Sequence, residues 1–257
     1  MSELWQEAFS KRLVDRGLFV TATDTAVGKT AVSCGIVQVL RGAGRSVLPF
    51  KPMASGAERR GDGWLAEDAE ALAGVTGGGA TAGEVCPVVF ERAVAPGIAA
   101  AELGERVDWG VIGQAWAGLQ DRLGADGGIV IEGAGGVHVP LDAEGTPTVL
   151  ELMAGLGWPA LVVVRSALGT LNHSTLTVRA LRDAGVPVVG LVMNDGPGLD
   201  ADDASIATNR LWLERMTGAS VLCRLPGVAD GPPWEDGRWR EALGGIEWWS
   251  LMRLGDG

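Results

Sequence analysis

The stretch Gly17-Leu18-Phe19-Val20-Thr21-Ala22-Thr23-Asp24-Thr25-Ala26-Val27-Gly28-Lys29-Thr30-Ala31 decides the fold. Gly17–Thr21 is apolar and β-branched and reads as a buried strand. Ala22–Thr30 reads as a tight loop, and Ala31-Val32-Ser33-Cys34-Gly35-Ile36-Val37 opens a helix. Strand, loop, Gly-Lys-Thr and helix together make a phosphate grip. Backbone N–H groups and the positive end of the helix dipole face a polyphosphate, Lys29 reaches its β/γ-phosphates, and the Thr30 hydroxyl is placed for Mg²⁺. The stretch therefore predicts nucleoside triphosphate binding. A standard loop of this kind has glycine where Thr23 stands, and a longer variant has glycine where Ala22 stands. Alanine fits there only with φ below zero.

Outward from this loop, strand and helix patterns alternate through the chain with no long polar linker. Arg45–Phe50 reads as a second strand ending at Lys51-Pro52, since proline cannot continue a ladder. Residues 56–63 read as a Gly- and charge-rich loop, Leu65–Ala73 as a short helix, and Thr76–Gly83 as a flexible surface loop. Val107–Leu123 is helical by pattern, and Gly128–Glu132 is a buried strand entering the turn Gly133-Ala134-Gly135-Gly136. Pro159–Arg165, Val186–Asn194 and Ser220–Leu225 read as further strands, separated by helices near Thr170–Ala184 and Asp200–Thr217. Such alternation predicts parallel pairing through right-handed crossovers, with ligand at the C-terminal edge of the strands.

At 257 residues the chain suits one α/β domain with a large core, and 47% hydrophobic residues with 40 glycines suit a buried parallel sheet. The organisation expected is an amphipathic helical extension over 1–16, the α/β domain over 17–228, and a Trp-rich tail over 229–257 packed on that domain. A net charge of −11 argues against nucleic acid or an anionic membrane as a partner. Cys34, Cys86 and Cys223 lie far apart without metal spacing and read as reduced, buried thiols of a cytoplasmic protein. No targeting segment and no membrane-spanning run are visible.

Two further positions suggest chemistry. Lys51, at a strand end near the phosphate loop, can stabilise charge on a transferring phosphoryl group. Glu132, ending an apolar strand before Gly-Ala-Gly-Gly, has the Walker-B arrangement, and Mg²⁺ prefers one or two carboxylates plus phosphate oxygens. Asp68 belongs to a helical charge cluster with Glu67 and Glu70, and such a cluster is more often a solvated face. His138 fits a position facing the sheet surface. His173 reads as structural, fixing a turn by hydrogen bonds, whereas Asn172 is better placed for a ligand.

Six motifs then occur in the order seen in dethiobiotin synthetases, over about residues 17–230. They are Thr23–Thr30, Lys-Pro-Met-Ala-Ser-Gly (Lys51–Gly56), Asp-Ala-x-Ala-Leu (Asp68–Leu72), Glu-Gly-Ala-Gly-Gly (Glu132–Gly136), Leu-Gly-Thr-Leu-Asn-His (Leu168–His173) and Leu-Pro-Gly-Val (Leu225–Val228). The resemblance implies a single α/β domain of P-loop NTPase type with helices on both faces of the sheet. It implies an ATP- and Mg²⁺-dependent cyclo-ligase of biotin biosynthesis acting on 7,8-diaminononanoate and CO₂. Lys29 and Lys51 would be catalytic, and Thr30, Asp68 and Glu132 would surround Mg²⁺. Nucleotide contacts would come from Ala26, Val27, Gly28, Lys29, Thr30, Ala31, Asp68, Glu132, Gly133, Ala134, Gly135, Asn194, Asp195, Leu225, Pro226 and Gly227. The diamine would meet Thr25 and Ser55. Its carboxylate would meet Gly169, Thr170, Leu171 and Asn172 across the interface of a homodimer, a helix N-terminus being suited to an anion.

The chain departs from this family at Ala22, at Ala26, where several members carry an acidic residue, and at Gly97, where a histidine often follows the proline. Two other readings share the nucleotide fold. A partner-regulated ATPase switch would carry an additional lysine early in the phosphate loop, and residues 22–27 contain none. An amide-forming ligase of the cobyrinate type would need a glutaminase domain, for which 257 residues leave no room.

Overall fold

The computed structural model describes residues 4–11, 14–61, 63–196, 199 and 202–253. Of the expected N-terminal helix, α1 spans Leu4–Ala8, and positions 1–3 and 12–13 lie outside the described residues. Strand β1 (Arg16–Ala22) runs into the phosphate loop and α2 (Lys29–Gly42). Strand β2 (Val47–Phe50) follows and ends at Lys51. Next come β3 (Met53–Ser55), β4 (Glu58–Arg60), β5 (Gly63–Leu65), α3 (Glu67–Gly74), α4 (Ala82–Val85), β6 (Val88–Phe90), α5 (Pro96–Leu103) and α6 (Trp109–Leu123). The second half alternates strictly: β7 (Gly128–Glu132), α7 (Val149–Leu156), β8 (Ala160–Arg165), α8 (Thr170–Asp183), β9 (Val188–Asn194), α9 (Ile206–Thr217) and β10 (Val221–Leu225). A 3₁₀ turn (Pro233–Glu235), α10 (Gly237–Gly244) and α11 (Trp248–Leu251) complete the described chain.

The main sheet has six parallel strands in the order β10-β9-β8-β1-β7-β2. Alternate side chains enter two separate cores, as the two-residue period of a strand requires. Leu18, Val20 and Val130 face the core formed with α2, α10 and α11, whereas Phe19, Ile129 and Ile131 face the core formed with α6 and α7. Helices thus cover both faces, which is why the strands read as continuous apolar runs. Pro49 is tolerated in β2 because that strand is an edge. Gly17 lets Trp158 lie against the backbone of β1; a Cβ there would come within 1.9 Å of the indole.

Two segments correct the sequence reading. Residues 56–63 are not simply a loop, because Glu58–Arg60 and Gly63–Leu65 pair as an antiparallel hairpin. Its side chains are largely exposed, so no apolar alternation marked it. Thr76–Gly83 does lie at the surface, with Gly77, Gly78, Thr81 and Gly83 exposed, but it is anchored and its end opens α4. Thr76 is fully buried, its hydroxyl accepts the Ala80 N–H at 3.0 Å, and Thr81 caps α4 with a reciprocal Glu84 bond. At the other end of the chain, α10 and α11 bury Trp239 and Trp248 in the α2-side core. The indole N–H of Trp239 donates to Pro226 O at 2.9 Å.

Candidate active site

Glycine at position 28 makes the phosphate loop possible. Gly28 caps α2 with φ 101°, and a Cβ there would lie 2.2 Å from Asn194 Nδ2. No side chain caps α2, so its first N–H groups stay free to face an anion. Ala22 is extended within β1, as its side chain requires. The strained residue is Ala26, with φ 56°. Asn194, at the end of β9, donates to Val27 O at 2.9 Å and so braces the loop from behind.

Strand order brings the remaining groups together. β7 lies between β1 and β2, so Glu132, the phosphate loop and Lys51 emerge side by side at one sheet edge. Lys51 Nζ is 2.7 Å from Glu132 Oε1 and also pairs with Asp68. The Thr30 hydroxyl is 2.8 Å from Glu132 Oε1 and 2.9 Å from Asp68 Oδ1. Lys29 Nζ donates to Asp24 O at 3.1 Å. Asp68, on the first turn of α3, therefore belongs to the site and not to a solvated charge face.

Burial sets the electrostatics. It pulls the Lys51 ammonium down, but Glu132 and Asp68, by charge and hydrogen bonding, outweigh it and hold the pKa above the ordinary lysine value. Lys29 is lowered, first by burial and further by Lys51, with Glu132 opposing. Burial would raise Asp68, yet Lys51 and the Thr30 hydroxyl hold it below the usual carboxylate range. Glu132 is 1% exposed and its Oε2 is buried without a hydrogen-bond partner. Two carboxylates, a hydroxyl and an unsatisfied oxygen fit a hard cation such as Mg²⁺. Among the described residues no group of three or more His, Cys, Asp or Glu forms a metal cluster, so phosphate and water would supply the other ligands.

A cleft of about 590 Å³ opens over these groups. Of the residues singled out from sequence, Thr25, Ala26, Gly28, Lys29, Thr30, Lys51, Ser55, Asp68, Glu132, Ala134 and Gly135 line it. Val27 is buried beneath it, Ala31 continues α2, and Gly133 packs against Phe19 and Val149. Leu225 is fully buried in β10, which leaves backbone and Pro226-Gly227 for any base contact. A Cβ at Gly227 would lie 2.9 Å from Gly196 O, and Arg224 donates to Asp195 Oδ1 at 2.7 Å, so the ends of β9 and β10 lie side by side, outside the cleft lining.

Gly169, Thr170, Leu171 and Asn172 also lie outside the cleft lining. Gly169 (φ 94°) caps α8 without a side-chain cap, and Leu168 beside it is 82% exposed. His138 and His173 are exposed. Sequence reading missed the cleft's apolar wall of Ala54, Ala93, Val94, Ala95, Pro96 and Val139. Proline at the start of a helix was the available signal for part of it.

Three comparisons bear on this geometry. The family described as "AAA domain" matches residues 16–231. The ATP-dependent dethiobiotin synthetase BioD of Anaeromyxobacter dehalogenans (strain 2CP-C) is 42% identical over 216 residues, 84% of this chain and 92% of that protein. The enzyme of the same name from Haloferax mediterranei is 42% identical over 207 residues, 80% of this chain and 82% of that protein. Among solved structures, the ParA family ATPase of Chlorobium tepidum TLS superposes with a TM-score of 0.52 at 11% identity, covering 90% of this chain and 98% of that one. The Pyrococcus furiosus cell division ATPase MinD superposes with a TM-score of 0.52 at 19% identity, covering 90% of this chain and 95% of that one. At these identities the solved structures support the α/β fold alone. The sequence relatives reach further, and the chain belongs to the ATP-dependent dethiobiotin synthetases.

Proposed function

We propose that this chain closes the ureido ring of dethiobiotin from 7,8-diaminononanoate and CO₂ at the expense of ATP, as a cytoplasmic cyclo-ligase of biotin biosynthesis. The observation that carries the mechanism is the convergence of Lys29, Thr30, Lys51, Asp68 and Glu132 at one sheet edge over a single cleft. One substrate amine takes up CO₂ as a carbamate. A carbamate oxygen attacks the γ-phosphorus and ADP leaves, giving a carbamic–phosphoric anhydride. The second amine then attacks the carbonyl carbon, closes the ring and expels phosphate. Holding both amines in one cleft makes this last step intramolecular.

Lys29 and the N–H groups of the loop hold the β- and γ-phosphates. Lys51, kept protonated by its carboxylate partners, is an electrostatic stabiliser and not a base; it offsets charge on the carbamate and the transferring phosphoryl group. Thr30, Asp68 and Glu132 would hold Mg²⁺, which would supply positive charge to offset that of the phosphates. Thr25 and Ser55 face the diamine from the cleft rim, beside an apolar wall suited to its carbon chain. Asn194, Asp195 and Pro226-Gly227 form the corner where the base docks. The Gly169–Asn172 helix start serves the active site of the partner in a homodimer, receiving the substrate carboxylate.

Mass spectrometry of a reaction with diamine, bicarbonate and Mg·ATP tests the assignment directly. Dethiobiotin is the expected product, and ATP hydrolysis without it would exclude the ligase reading. Mixing Lys51→Ala chains with Asn172→Ala chains tests the shared site, since hybrid dimers should regain activity that neither parent has.

A further inference from the structure

The opposite edge of the sheet carries a second concentration of charge. Arg16 opens β1, Arg45 precedes β2, and Arg253 pairs with Arg16 as an isolated antiparallel bridge. All three, with Asp15, Asp126 and Trp249, line a cavity of about 340 Å³. The guanidinium carbons of Arg16 and Arg45 lie 4.8 and 5.1 Å from the centre of the Trp249 ring, itself in contact distance of the Gly128 position. Cation–π contact fixes two planar forks around one indole without using their outer N–H groups.

Three features set this cluster apart from scattered surface charge. The whole chain carries a net charge of −11, so a partly open cavity where three arginines meet two aspartates, Asp15 and Asp126, and stay net positive runs against its overall field. The ion pairs among the described residues engage other arginines, namely Arg60, Arg92, Arg106, Arg122, Arg210, Arg224 and Arg238. Arg16 spends one donor on Trp249 O at 2.7 Å and keeps the others. Burial, then the positive charges of Arg253 and Arg45, hold Arg16 below the ordinary arginine value against the opposing charge of Asp15. Three arginines against Asp15 and Asp126 leave the cavity with a net positive charge.

We propose that the Arg16–Arg45–Arg253 cavity is a second anion site, distinct from the phosphate loop, that binds a multiply charged phosphate. Guanidinium forks match phosphate oxygens in pairs, and three of them suit two linked phosphates better than a single monoanion. Inorganic pyrophosphate and the diphosphate of a nucleotide share this chemistry.

Calorimetric titration of Mg²⁺-free pyrophosphate and of Mg²⁺-free ADP into the full chain tests the site. Lys29→Ala, which weakens the phosphate loop, should leave one pyrophosphate site intact. Arg45→Gln and Arg253→Gln should each weaken that site roughly tenfold, the scale of one lost charge-assisted bond. Arg45→Lys and Arg253→Lys, which keep the charge, should lose less and secure the test if a glutamine variant folds poorly. ADP binding retained by Lys29→Ala and lost when Arg45→Gln is added to it supports the site with a nucleotide as ligand; pyrophosphate alone behaving so supports it with an inorganic one. Binding that vanishes in Lys29→Ala, or persists undiminished when the arginine variants are added to Lys29→Ala, overturns the proposal and leaves the arginines as a clamp on the tail.

Discussion

Lys51 Nζ and Glu132 Oε1 lie 2.7 Å apart although their residues are 81 positions apart in sequence. Both side chains are almost wholly buried, so each charge exists there because of the other. Lys51→Met should lower turnover by roughly a hundredfold or more, the usual scale for losing a preorganised charge contact. It should also cost about 3 kcal/mol of stability, since Glu132 is left buried without its cation. Adding Glu132→Gln should recover much of the stability and none of the activity. Urea melts and product assays read both, and strictly additive stability losses would refute the coupling.

Asp68 gives a pH dependence. Its carboxyl is held low in the folded chain by Lys51 and Thr30, against an unfolded value near about 3.9. Its contribution is therefore complete above the unfolded value and disappears as pH falls through the lower folded value. Stability of the ligand-free protein should fall on acidification below about pH 5, and Asp68→Asn should flatten that slope. An unchanged acid limb in the variant is the result that counts against the pairing.

The backbone around Gly97 restricts what can stand there. A Cβ at Gly97 would lie 2.5 Å from Asp142 O and 3.0 Å from Pro140 O, while its N–H donates to Pro140 O at 3.0 Å. Gly97→Ala should cost about 1–3 kcal/mol through overpacking, visible as a lower urea midpoint. A midpoint equal to that of the parent would mean that the backbone at 140–142 yields freely.

Ala26 is the one non-glycine among the described residues with positive φ, at 56°. Ala26→Gly should relieve about 1 kcal/mol of local strain, partly offset by greater freedom of the unfolded chain. Thermal melting should show no loss and a small gain. A clear drop would mean that the methyl group packs against something the loop needs.

The three thiols should be unreactive in the native protein. Burial pushes Cys86 up to about 12 and Cys223 up to about 11, and raises Cys34 as well. A thiol-disulfide reagent at pH 8 should label them only slowly, and all three promptly after unfolding. Fast labelling of the native chain would contradict their burial.

Much of this molecule was legible along the chain. The apolar runs of β1, β7, β8 and β9 and the Gly-Lys-Thr turn are local signals, because a strand buried on both faces must be continuously apolar and a phosphate loop needs its glycine and lysine adjacent. The hairpin at Glu58–Leu65 escaped because exposed strands carry no such pattern. Asp68 was ambiguous for the same reason: on one helix, a ligating carboxylate and a solvated one look alike. The apolar cleft wall and the arginines around Trp249 were invisible, since each draws its members from distant segments.

The sequence by itself determined the six strands of the main sheet and most of the helices between them, where the phosphate loop lies, and that helices must cover both faces of a parallel sheet. Only the tertiary structure decided that β7 lies between β1 and β2, and with it that the Lys51 ammonium and the Thr30 hydroxyl meet on Glu132 Oε1. The physical reason is that periodicity and turn chemistry act between near neighbours. Strand order is chosen by how two whole cores close around the sheet, and no single segment carries that information.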